Sequence, residues 1–184
     1  MSRRRLLVRL ATLAAALPLS GCAGNALRPV NDDGTYCFRV NNKSRHPTCT
    51  MAAIPAAAIE NQAKLFQPDA GALTLYVVRK RWSDAINLVS VTVGSQRAAF
   101  TVPDSFVRLR LAPGTHRVST TWDGKVLEQS VAGHRGDIAV VELVGTAMNG
   151  RSRYRLERSD LPSSRKRILE SRLVADLDLD VPIR

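Results

Sequence analysis

Chemistry in this chain is sought first at its thiols, its histidines and one tryptophan set among cations. Cys22 closes the stretch Leu19-Ser20-Gly21-Cys22, a thiol nucleophile behind two small residues. Cys37 and Cys49 stand at the two ends of a polar stretch, "CFRVNNKSRHPTC". Trp82 lies in "RKRWSD", directly after Arg79, Lys80 and Arg81. An indole flanked by cations can stack on a sugar or settle at a membrane interface, and it can equally close one end of an apolar core. His116 follows a Pro113-Gly114 turn. It is either a ligand or proton donor, or the anchor of that turn.

The other patterns argue against catalysis. His46 and His134 lie in loop-like stretches without HxxxH or HExxH spacing, and a zinc site takes three or four ligands. Neither a GxSxG elbow nor a glycine-rich phosphate loop is present. The chain is therefore expected not to be an enzyme, with no catalytic residue, no metal site and no cofactor.

What must present Cys22 is the segment before it. Arg3, Arg4, Arg5 and Arg9 make a positive start, and residues 10–19 are apolar apart from Thr12, Pro18. That run is too short for a permanent span, which takes about 20 apolar residues. Residues 1–21 read as a signal peptide, its positive end held on the cytoplasmic side. Leu19-Ser20-Gly21-Cys22 resembles the lipobox of bacterial lipoproteins. The resemblance implies cleavage between Gly21 and Cys22, a diacylglyceryl group on the Cys22 sulfur, and acylation of the freed amine. Several acyl chains anchor stably where one is marginal. Ala23, where Asp would retain such a protein at the inner membrane, implies the outer membrane, facing the periplasm. An ordinary secretory leader with a plain Cys22 thiol is the alternative. Ser2-Arg3-Arg4-Arg5-Leu6-Leu7 also resembles the twin-arginine export motif, which leaves the export route open.

The formal net charge is +11, from 27 Lys and Arg against 16 Asp and Glu. Only four arginines leave with the leader, so the remainder stays basic. A basic surface beside a membrane can lean on anionic lipid or lipopolysaccharide phosphates, or simply be solvated. No nucleic-acid partner is expected for an exported, tethered protein. In an oxidising compartment Cys37 and Cys49 are the even pair left once Cys22 is lipidated, and they read as a disulfide. It would contribute roughly 3 kcal/mol by loop closure. A redox or metal pair is the other reading, although reactive pairs sit closer, as in CxxC.

The elements follow from periodicity. Residues 22–34 are polar and aperiodic, a flexible tether. Residues 35–68 hold the cystine loop and a short helix over 54–68, with Pro55 in its first turn and Ile59, Ala63 and Phe66 on one face. Residues 69–158 alternate with period two in "ALTLYVVRK", "NLVSVTVG", "SFVRLRL", "THRVSTTW", "KVLEQSVA" and "DIAVVELVG". These are half-buried strands, and Asp123-Gly124 between two of them is a hairpin signal. "RSRYRLERS" reads as an edge strand guarded by arginines. Residues 159–184 read as a surface helix capped by Ser163 or Ser164, then an acidic tail that trails off. The expected fold is mainly β, an antiparallel β-sandwich of about seven or eight strands with a short N-terminal helix and a C-terminal surface helix.

Phe66 and Pro68 precede a strand ending Tyr76-x-x-Arg79, Gly94 follows a Val-rich strand, and Pro113-Gly114-x-His116 forms a turn. In this order the motifs resemble a family of small bacterial envelope lipoproteins carrying an uncharacterised β-sandwich domain, over roughly residues 45–145. The chain departs from the family at "AAFTVPDSF", where a more glycine- and aromatic-rich segment is usual. The resemblance implies a fold and a compartment, and no catalytic residue. The expected role is a lipid-anchored, non-catalytic interaction or structural module of the envelope that meets another envelope protein. The alternative is a ligand-binding domain for a glycan, a lipopolysaccharide phosphate or an apolar small molecule, with Trp82, Arg79, Arg81 and His116 as candidate binding residues.

Overall fold

A computed structural model of the protein describes residues 27–40, 47–80, 84 and 87–179. The chain is mainly β, with eleven strands and two helices among the described residues. β1 (Cys37–Phe38) and β2 (Thr48–Cys49) form an antiparallel ribbon, and a disulfide joins the directly opposed Cys37 and Cys49. The expected staple is therefore present.

The remaining strands make two sheets. One holds β3 (Leu73–Arg79), β6 (Ser105–Leu111), β9 (Ile138–Met148), β10 (Arg151–Ser159) and β11 (Arg172–Asp178), in the order β10-β9-β3-β6-β11. The other holds β4 (Val89–Val93), β5 (Gln96–Thr101), β7 (Gly114–Trp122) and β8 (Lys125–Gly133), in the order β5-β4-β7-β8. The alternation of the sequence becomes burial. Leu75, Val77, Leu109 and Leu143 of the first sheet meet Val91, Val93, Val118 and Val131 of the second in one apolar cluster. On the opposite face of the five-stranded sheet, Tyr76, Val78, Phe106 and Val140 form a second cluster with Ala63, Phe66 and Ile168. β3 belongs to both clusters and is buried along its whole length.

The helices that cover this second face are each docked by a buried carboxylate. On α1 (Ala57–Ala63), Glu60 accepts from Lys64 Nζ at 2.7 Å and from the Leu173 backbone N–H at 3.2 Å, and pairs with Arg172 at 3.3 Å. Facing α2 (Leu161–Leu169), Glu142 of β9 accepts from Ser164 Oγ at 2.7 Å and from Arg167 at 2.6 Å. Buried charges persist where partners of this kind satisfy them.

Several expectations are corrected. The five-stranded sheet is mixed, because β3 runs parallel to β9 and β6 runs parallel to β11. Between β3 and β6, and again between β6 and β9, the chain visits the four-stranded sheet before it returns. The acidic tail does not trail off: residues 172–178 are β11. Its Asp176 lies opposite Arg108 and its Asp178 opposite Arg110, so two acids at a strand's period meet two arginines at the same period. Arg108 donates to both Asp176 oxygens at 2.8 and 2.7 Å, Arg110 donates to Asp176 at 2.8 Å, and Arg110 also bonds Asp178. β5, β11 and the cystine ribbon carry the strand number past the expected seven or eight. On α1 the buried face is Glu60 and Ala63, with Ile59 left exposed, because the helix stops at Ala63 and Phe66 turns back at φ 55°. Asp160 caps α2, accepting from the Ser163 N–H at 2.8 Å, while Ser164 is buried against Glu142.

Candidate functional site

Two hairpins end side by side. β7 and β8 are joined by Asp123-Gly124, with φ of 51° and 71°. β9 and β10 are joined by Asn149-Gly150, with φ of 50° and 73°. Positive φ at both central residues gives the turn whose twist matches paired strands, and Asp-Gly and Asn-Gly adopt it most readily. The indole N–H of Trp122 donates to the Ser152 carbonyl at 3.1 Å, tying one hairpin to the other. The Trp122 ring meets Tyr154 edge-on, with centroids 4.7 Å apart.

Beneath the aromatic pair lies a buried ion pair. Arg79, the last residue of β3, is 0% exposed, and its Asp84 partner's side chain is 1% exposed. Arg79 Nε and Nη2 donate to the two Asp84 oxygens at 2.7 and 3.1 Å, a two-pronged pairing that suits a planar guanidinium. Nη1 donates to the carbonyls of Asn87 and Thr101 at 2.8 and 2.9 Å, and Nη2 also reaches Tyr154 Oη at 3.1 Å. Asn87 donates to Tyr154 Oη at 3.0 Å and to Ser152 Oγ at 2.8 Å. Burial pushes the Tyr154 phenol above its ordinary pKa, against the pull of Arg79. A Cβ at Gly145 would stand 2.0 Å from Asp84 Oδ1 and 2.7 Å from the Tyr154 ring, so the cluster needs a residue without a side chain there.

Above this base the hairpins open a cleft of about 1200 Å³, lined by Asn87, Trp122, Lys125, Arg151, Arg153 and Tyr154 among others. Lys125, Arg151 and Arg153 are exposed and form no ion pair among the described residues. Among the described residues Asp123 is the one acid on the lining. Cations beside aromatic rings can hold an anion while the rings stack on a flat or sugar ring.

The candidate residues read from sequence fall in different places. Arg79 is the buried base of the cleft and turns its charge inward to Asp84. His116 is at the opposite end of β7, six residues from Trp122, or roughly 20 Å along a strand. Its Nε2 lies 2.7 Å from the Ala112 carbonyl, across the turn in which Gly114 has φ 141°. That geometry is the turn anchor. Cys22, Gly21, Arg81 and Trp82 lie outside the described residues. His134 is exposed; its backbone N–H donates to Asp137 Oδ2 at 2.7 Å, and its ring Nδ1 lies 3.3 Å from the same oxygen. That bond, with the His134 ring, holds the Asp137 carboxyl below its ordinary value. Among the described residues no group of three His, Cys, Asp or Glu gathers closely enough to hold a metal. Lys125, Trp122, Arg151 and Arg153 were not singled out in advance. The signal that places them is the pair of Asp-Gly and Asn-Gly turns, each followed at once by a cation. Compared with protein-family models and with curated proteins, the chain matches none.

Proposed function

We propose that this chain is a lipid-anchored protein of the bacterial cell envelope, moored through Cys22, whose β-sandwich domain works by binding and not by catalysis. The ligand is an anionic group, a phosphate or phosphorylated glycan, taken in the cleft between the two hairpin tips. One observation carries this reading: Lys125, Arg151 and Arg153 stand exposed without ion-pair partners among the described residues, next to the rings of Trp122 and Tyr154. Arg155, two residues beyond Arg153 on the same strand, pairs instead with Glu157. Here the cations face solvent over a base already held rigid by Arg79 and Asp84. The leader and the lipobox resemblance support the compartment, where a tethered basic surface stands beside anionic headgroups.

Nuclear magnetic resonance titration with pyrophosphate tests the cleft. Saturable shifts are expected at the Trp122 indole and at Gly150, and Arg151→Ala with Arg153→Ala should weaken binding by roughly tenfold or more. The absence of a saturable shift, or shifts confined to the His116 end, would contradict the reading.

A further inference from the structure

We propose that the end of the domain formed by the two hairpin tips lies against the anionic surface of the membrane that holds the lipid anchor, so that the cleft meets lipid headgroups of that same membrane. This rests on the anchoring at Cys22 proposed above.

The path of the chain is the first support. Arg28 sits at one end of the five-stranded sheet, where its carbonyl accepts from Arg172 at 2.9 Å and its guanidinium lies 3.6 Å from Asp104. Lys80 reaches the same Asp104 at 3.2 Å. These residues mark the close of β3 and the openings of β6 and β11. β9, parallel to β3, leaves at this end too: Glu142 lies opposite Val78, and Met148 follows six residues later, roughly 20 Å further out. The tips therefore project beyond the sheet on the side where the tether arrives. Cys22 precedes Arg28 by six residues, a reach of at most about 20 Å. An anchor at Cys22 thus lies within reach of the level of the tips.

Surface chemistry is the second support. The projecting end carries the three cations, with Met148 at 74% and Val126 at 62% exposure beside them. Cations around protruding apolar side chains suit the boundary between headgroups and acyl chains. The opposite end carries Asp69 ahead of β3 and Asp137 at the turn before β9, with Arg135 in that turn and Arg110 paired to Asp178 close by. At the projecting end Asp123 is the acid among the described residues lining the cleft, and nearer the sheet Asp104 is shared by Arg28 and Lys80. The balance is positive toward the tether and mixed away from it.

The test uses the mature lipidated protein in vesicles of phosphatidylcholine, with or without phosphatidylglycerol. A polarity-sensitive fluorophore is placed on Val126→Cys at the tip or on Arg135→Cys at the far end. The tip probe should shift to the blue and lose severalfold of its aqueous quenching in the anionic vesicles only. The effect should fade at raised salt and disappear with Lys125→Glu, Arg151→Glu and Arg153→Glu combined. The far probe should not respond. The intact mass is read first: absence of acyl chains would overturn the anchoring and this proposal together. Acyl chains present with an unresponsive tip probe would overturn the orientation alone. A tip shielded in native envelope fragments but open in pure lipid would also overturn it, in favour of a protein partner.

Discussion

Arg79 shows how far a residue's type can mislead about its use. In sequence it belongs to a basic run beside Trp82 and reads as a binding cation. In the fold it is buried, with both Asp84 oxygens, two backbone carbonyls and the Tyr154 hydroxyl accepting its protons. Those partners come from 5, 8, 22 and 75 residues away, so no local pattern announces them. Arg79→Ala leaves the Asp84 carboxylate buried without its cation, and chemical denaturation should show a loss of about 3–5 kcal/mol. Arg79→Lys should not restore the wild-type midpoint, because an ammonium cannot reproduce the planar fork. Gly145→Ala should cost about 1–3 kcal/mol by crowding Asp84 and Tyr154. Wild-type stability in the alanine variant at 145 would show that the cluster yields easily.

At the level of elements, alternation made most of the strands legible. It also placed Val107, Leu109 and Leu111 inward on β6. Alternation cannot say which strands pair, and so the parallel neighbours β9 and β11 were not foreseen. β11 was hidden because "ADLDLD" has the composition of a solvated tail. Its acids become strand residues only when the arginines of β6 lie opposite. Burial alone would raise the Asp176 carboxyl, but the bonds and charges of Arg108 and Arg110 outweigh it and hold the group below its ordinary value. A depressed carboxyl stabilises the fold above the ordinary aspartate value, about 4, and the contribution is lost as pH falls through the lower folded value. Urea midpoints measured from neutral pH downward should therefore fall less steeply below about pH 4 in Asp176→Asn than in the wild type. At neutral pH that variant should already be weaker by about 1–3 kcal/mol. Parallel pH curves for the two proteins would deny Asp176 this role.

Taken whole, the molecule is a small domain with two unlike ends and a stapled ribbon ahead of it. The disulfide was legible because the even pair of cysteines follows a segment that reads as an export leader. Its reduction should lower stability by roughly 3 kcal/mol if the loop-closure account holds, which a thermal melt with and without reductant would read. The cleft was not legible, since its cations gather only when two turns distant in sequence end side by side. On the proposed reading those charges face the anions of a membrane to which acyl chains at Cys22 would hold the domain. The most direct measurement is therefore metabolic labelling with radioactive palmitate in cells making the wild-type chain or Cys22→Ala. The wild type should take up label and be shortened by its leader, and Cys22→Ala should remain full-length and unlabelled. Label retained by Cys22→Ala, or a shortened wild-type protein without label, would contradict the anchoring on which the rest is built.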